Sequence, residues 1–423
     1  MLTPSSVTLV FATAVVLSTA VRFWLATRQL RHVARHRHEV PPVHAANIPL
    51  DAHRKAADYT LAKLRLSLVG DGVGAVLLLG WTLLGGLDAL NGAVRDAIGP
   101  RWHGLPYELA LFGAFTVIGW VLDLPFELYR TFRLEQRFGF NQMTPALFIA
   151  DTLKGAAVAV VIGAPLLGGV LWIMQASGTL WWLWAWCAWV TIILVAQVVY
   201  PVLIAPIFNQ FKPLEDAALR DRVNALMARA GFRLNGMFEM DGSKRSAHSN
   251  AYFTGIGAAK RVVFYDTLLR QLNGDEMEAV LAHELGHFHH KHVLKNTLTM
   301  LALGLAGFAL LGWLAQQPGF YLGLGVTPNL DAPNAALALL LFVLALPPCL
   351  FFVSPVFAAL SRRAEFQADA YAGTQASATH LVRALLKLTN DNAATLTPDP
   401  LYVRFYYSHP PLTERIAALG VAA

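Results

Sequence analysis

The residues best placed to do chemistry are the five consecutive ones His283-Glu284-Leu285-Gly286-His287. On a helix, positions four apart return to within about 40° of the same direction, so His283 and His287 can both offer a ring nitrogen to one ion. Two imidazoles at that spacing suit zinc, which takes nitrogen ligands in a tetrahedral shell. Glu284 lies about 100° around the helix from His283. That direction addresses a water beside the metal rather than the metal, which is where metal-assisted hydrolysis places its general base. Leu285 and Gly286 then face the packing side. The competing explanation is coincidence in a chain with 14 histidines, a pattern that arises in on the order of a few per cent of chains so rich in His.

A catalytic zinc needs a third protein ligand and an open fourth position. His289, His290 and His292 are the nearest candidates. His290 is nearly in line with the pair, but three ligands on one straight helix would span about 10 Å, too far for bonds near 2 Å. The 289–292 cluster also reads as a polar, interfacial helix end. A better candidate is Glu365, in Ser361-Arg362-Arg363-Ala364-Glu365-Phe366-Gln367-Ala368-Asp369. Asp369 is one turn further along the same face and could accept a hydrogen bond from a ligating histidine. An acidic pair beside Arg362 and Arg363 is also what a solvated helix face looks like, so spacing alone leaves the choice open.

These residues must be positioned by a membrane protein. Of 423 residues, 56% are hydrophobic and only 14% charged, with a mean hydropathy of +0.47, which excludes an ordinary soluble chain. Residues 155–211 carry no Asp, Glu, Lys or Arg, and 296–361 carry only Asp331; each stretch has room for two crossings. Seven crossings are expected, at about 6–27, 67–90, 106–125, 152–174, 180–205, 296–315 and 334–360. The first apolar run has no Lys or Arg before it and basic residues after it, the reverse of a cleaved signal, so it reads as an uncleaved anchor. Cys187 and Cys349 both lie in apolar runs and indicate neither a disulfide framework nor a cysteine zinc site.

The formal charge of +6 reflects orientation in the bilayer rather than nucleic-acid binding, because much of the excess sits in one loop. Arg28, Arg31, Arg35, Arg37, Arg54, Lys55, Lys63 and Arg65 crowd the first loop, and Arg130, Arg133 and Arg137 the third. Residues 175–179 and 316–333 have no Lys or Arg; only Arg95 and Arg101 argue the other way. The N-terminus is therefore expected outside, with residues 206–295 and 361–423 together on the cytoplasmic side. Four regions follow: a five-helix part at 1–205, a catalytic segment at 206–295, a membrane hairpin at 296–360 and a C-terminal segment at 361–423. In the catalytic segment, 214–230 reads as an amphipathic helix ending at Gly231, and 238–240, 251–254 and 261–265 as short strands. Asp275 and Glu278 resemble a capping box opening the motif helix.

The residues together resemble the CAAX prenyl protease type I family, seven-span zinc endopeptidases of eukaryotic and bacterial membranes. Beside His283-Glu284-Leu285-Gly286-His287 and Glu365 with Asp369, the likeness rests on Arg137-Phe138-Gly139-Phe140-Asn141 and Asp151-Thr152-Leu153-Lys154. It also rests on Ser249-Asn250-Ala251-Tyr252-Phe253-Thr254-Gly255 and on His409-Pro410-Pro411-Leu412-Thr413-Glu414-Arg415-Ile416. The resemblance implies a predominantly α fold, a seven-helix bundle enclosing a chamber with a small α+β peptidase domain on the cytoplasmic side. It implies one zinc ion held by His283, His287 and Glu365, Glu284 as base, and Asn250 and His409 near the scissile peptide as donors to the oxyanion. His292 matches a family position without an evident role. Substrates would be prenylated proteins cut near the C-terminus, met by a monomer in the lipid bilayer.

The chain ends in Gly420-Val421-Ala422-Ala423 rather than a basic retrieval tail, and its Ala- and Arg-rich composition suggests a bacterial inner membrane. A quality-control peptidase without prenyl specificity is the first alternative. A non-proteolytic scaffold or transporter using Asp71, Asp123 and Asp151 along its path is the second.

Overall fold

The computed structural model describes residues 2–98, 101–254, 259–330 and 332–421, so Gly255 and Asp331 lie outside the described residues. Among the described residues, seven helical stretches are long and apolar enough to cross a bilayer: Pro4–Arg35, Leu50–Trp81, Leu105–Phe138, Pro145–Ala176, Gly178–Phe208, His292–Leu314 and Ala335–Gln375. Their number agrees with the seven expected from the sequence, but their bounds do not. A 32-residue helix is about 48 Å long, well beyond the roughly 30 Å hydrocarbon core, so these helices are long enough to extend past it. Apolarity marks only the part in lipid, which is why the second crossing, expected at 67–90, is a helix that begins at Leu50 and stops at Trp81. It stops because the chain reverses there: Gly85 has φ +80°, and a Cβ on Gly86 would lie 2.6 Å from the Gly80 carbonyl oxygen. The residues beyond form a separate helix, Gly86–Ile98.

The last crossing likewise runs on. Ala335–Leu350 passes through a single tight turn at Phe351–Val353 into Ser354–Gln375, so Glu365 and Asp369 sit on the continuation of a crossing helix.

A four-stranded sheet follows the fifth crossing: β1 (Phe211–Pro213), β2 (Arg233–Met240), β3 (Ala251–Thr254) and β4 (Ala259–Tyr265), in the order β1-β2-β4-β3. β2 pairs parallel with β4, while β1 and β3 pair antiparallel with β2 and β4, which leaves β3 at an edge. β1 had no sequence signal, being three residues with a proline where the ladder ends. Val262, Phe264 and Met237 from the sheet pack with Leu219, Val223 and Leu226 of the helix Ala217–Arg229 and with Met277, Leu281 and Leu285 of the motif helix, Gly274–His289. That core fixes the motif helix against the sheet through its apolar side.

The cap of the motif helix is Asn273, not the Asp275 and Glu278 pair expected from the sequence. Asn273 Oδ1 accepts from the Glu276 N–H at 3.0 Å and the Glu276 carboxylate accepts from the Asn273 N–H at 3.0 Å. Asp275 and Glu278 instead pair with Arg222 and Arg229 on the neighbouring helix.

The Arg137–Asn141 and Asp151–Lys154 motifs join the sheet to the membrane helices. Phe140 stacks on His248 at 4.3 Å between ring centroids, and Asn141 bridges to Ser246. Arg245 clamps both oxygens of Asp151, at 2.7 and 3.0 Å, and also donates to the Phe208 carbonyl. Of the three carboxylates that a transport path would use, Asp151 is thus a structural tie and Asp71 faces Arg22 at 3.7 Å.

Candidate metal centre

The motif helix crosses Ser354–Gln375 at Gly286. A Cβ there would lie 2.8 Å from Ala368 Cα and 3.1 Å from its carbonyl oxygen, so only glycine allows the two backbones to approach this closely. The close crossing brings the histidines of one helix against the carboxylate of the other. His283 Nε2 is 3.3 Å from His287 Nε2 and 3.4 Å from Glu365 Oε2, and His287 Nε2 is 3.4 Å from Glu365 Oε1.

Those separations test whether zinc fits. Donors on bonds of about 2.0–2.1 Å at tetrahedral angles stand about 3.3 Å apart, close to the spacing found. Glu365 Oε2 is moreover buried without a hydrogen-bond partner among the described residues, with His283 Nε2 at 3.4 Å and Arg415 Nη2 at 4.0 Å, which leaves its lone pairs available to an ion between the donors. The proton inventory points the same way. Burial alone would depress His283, but its contacts with Asp369 and Glu365 outweigh that and raise its pKa to about 9. Burial, with His283 beside it, holds His287 down at about 4. Positive charge is thus favoured at His283, between the two carboxylates, and disfavoured at His287.

The rings are oriented from behind. His283 Nδ1–H donates to Asp369 Oδ1 at 2.8 Å, which leaves Nε2 for an ion. Asp369 is held in turn by Arg415, Nε to Oδ2 at 2.8 Å and Nη2 to Oδ1 at 2.6 Å. On the other side His287 Nδ1 lies 3.1 Å from His292 Nδ1, and His292 Nε2 lies 2.8 Å from Gln367 Oε1. Assigning the protons by the network, one arrangement leaves His287 Nε2 free: His287 Nδ1–H donates to His292, and His292 Nε2–H donates to Gln367.

His292, whose role the sequence left open, thus acts through His287, while His290 stands outside the triangle. Gln367 and Arg415 escaped the sequence reading. Both lie inside motifs already singled out, one two residues from Glu365 and the other six from His409, but nothing local says what they face. Replacing His292 with alanine should weaken zinc binding by about 10–100-fold without unfolding the protein, measured by competition with a chelator. Unchanged affinity would leave His292 as packing alone.

Glu284 makes no hydrogen bond or ion pair with the described residues, and burial lifts its carboxyl above the usual carboxylate range, with Glu365 adding to the shift. His409 reaches the site, its Nε2 3.4 Å from Glu365 Oε1, with 64% of its side chain exposed. That exposure is to a cavity of about 800 Å³ which Arg415, Lys63, Thr60 and Asn392 also line. Asn250 is exposed at the start of the edge strand β3, where its Oδ1 accepts from the Ala251 N–H at 2.9 Å. Asp369 and His409 each touch a member of the triangle directly, whereas no hydrogen bond among the described residues joins Asn250 to it.

A donor triangle of this kind, with seven candidate crossings and a glutamate left unpaired among the described residues, defines the chain as a membrane metallopeptidase. The comparisons narrow the class. Residues 29–210 match the family described as CAAX prenyl protease N-terminal, five membrane helices, and residues 213–422 match peptidase family M48. The CAAX prenyl protease 1 of Saccharomyces cerevisiae is 34% identical over 90% of this chain and 88% of its own. The CAAX prenyl protease 1 homolog of Homo sapiens is 31% identical over 97% and 95%. The crystal structure of S. mikatae Ste24p superposes with a TM-score of 0.91 at 30% identity, covering 98% of this chain and 99% of that one. The chain belongs to peptidase family M48, among the CAAX prenyl proteases.

Proposed function

We propose that this protein is a zinc endopeptidase that cuts prenylated, CAAX-type proteins or peptides near the C-terminus. The observation that carries the reading is the triangle of His283, His287 and Glu365 with Glu284 beside it, in a chain whose full-length relatives are named CAAX prenyl proteases. A zinc ion held by those three side chains would polarise the scissile carbonyl and make the attacking water more acidic. Glu284 then takes a proton from that water as its oxygen bonds to the carbonyl carbon, and returns it to the nitrogen as the C–N bond breaks. His409, directed at Glu365 from the cavity wall, is placed to donate to the oxyanion; Asn250, whose amide nitrogen makes no hydrogen bond among the described residues, is a second donor once substrate is bound. The open edge of β3 offers main-chain pairing to an extended substrate.

We place the site on the cytoplasmic face of a bacterial cell membrane, with the N-terminus outside, from the basic first and third loops and the composition. The protein works there as a monomer with peptide and lipid, and without nucleic acid. Comparing cleavage of one peptide with its cysteine farnesylated or S-methylated tests the substrate class: preference for the farnesylated form is expected, and equal rates would favour a general membrane-protein peptidase.

A further inference from the structure

A second cavity, of about 630 Å³, lies between the fifth, sixth and seventh crossings and shares no lining residue with the polar one beside His409. No Asp, Glu, Lys or Arg among the described residues lines it. Its long wall is one face of the sixth crossing, where Asn296, Met300, Leu303, Gly307 and Leu311 recur at helical spacing. The 15 rises of about 1.5 Å from Asn296 to Leu311 make that wall about 22 Å long. On one flank Trp189 closes against the helix so tightly that a Cβ on Gly304 would meet its ring at 2.5 Å; Leu339 and Phe342 form the opposite flank.

The two ends differ. Asn296, Thr299 and Ser361 make one end polar, and that end is next to the site: Asn296 is one turn beyond His292, and Ser361 one turn before Glu365 on the same helix face. An occupant must therefore be polar where it meets the metal centre and hydrocarbon for the rest of its length. A bilayer acyl chain has no reason to end at a peptidase centre. A cysteine thioether with its isoprenoid chain, attached to the peptide being cut, has that form. Resting on the substrate class proposed above, we infer that this slot receives the isoprenoid chain of the substrate, while the polar cavity lined by His409 and Arg415 takes the peptide on the other side of the scissile bond.

Gly307 provides the test, since a Cβ there meets nothing within 4 Å and a larger side chain would fill the slot's deep part. One peptide would carry S-methyl, 10-, 15- or 20-carbon groups on its cysteine, with the intact zinc-loaded protein in nanodiscs. Wild type should prefer the prenylated forms. Gly307→Leu should lose at least about tenfold in kcat/KM on the 20-carbon peptide, with losses shrinking as the chain shortens. A loss independent of chain length, or no loss, in a protein whose wild type still prefers prenyl peptides would overturn the slot and leave the substrate class standing, with a bilayer acyl chain as the occupant. Absence of any prenyl preference in wild type would instead sink the substrate class. If Gly307→Leu does not fold, a benzophenone-bearing isoprenoid peptide bound to wild type decides: labels on 296–311 support the slot, and labels confined elsewhere overturn it.

Discussion

Glu284→Gln is expected to lower kcat by about 10²–10⁴-fold while zinc content and KM stay near wild type. The amide keeps the size of the side chain and removes only its ability to accept and return a proton. No other described residue hydrogen-bonds to the Glu284 carboxyl, so the substitution strands no partner and should not disturb the fold. The same side chain sets the acid limb of the pH profile. Burial raises its pKa, and a base works only when deprotonated, so kcat/KM should fall as pH drops through a value above the ordinary carboxylate range. That limb should vanish from the residual activity of the variant. Undiminished hydrolysis by Glu284→Gln, measured on the farnesylated peptide, would refute the mechanism.

The second large effect is expected at Glu365. Glu365→Ala should take zinc from one ion per chain toward none, with activity lost in parallel, because two imidazoles on one helix turn cannot complete the shell. The fold should survive. Asp369 still balances His283 and remains clamped by Arg415, and the helix crossing at Gly286 does not depend on the carboxylate. Metal analysis beside circular dichroism separates loss of ion from loss of structure. Zinc retained in Glu365→Ala but lost from His290→Ala would overturn the ligand set.

The polar cavity and the proposed isoprenoid slot together account for a metal centre whose carboxylate ligand sits on the continuation of a crossing helix. Hydrolysis needs water and charged groups, which gather on the helix extensions; a prenyl chain needs hydrocarbon, which the crossings themselves supply. Ser361, lining the slot, and Glu365, in the donor triangle, stand one turn apart on the same helix.

What the sequence determined by itself is what depends on near neighbours or on bulk solvation. Apolar runs gave seven crossings because lipid selects on composition over some twenty residues. The spacing of His283, Glu284 and His287 gave a metal pair and a base because helix geometry fixes side-chain direction over one turn. Glu365 was legible only as one candidate, since no local rule says that two helices 80 residues apart in the chain will cross. The tertiary structure decided that, through Gly286 lying bare against Ala368. It also supplied the partners behind the ligand rings: Asp369, held by Arg415, behind His283, and His292, in contact with Gln367, behind His287. The helix cap fell to Asn273 rather than Asp275 for a related reason: Arg222 and Arg229 on a neighbouring helix claim the acidic residues that the motif alone would have used.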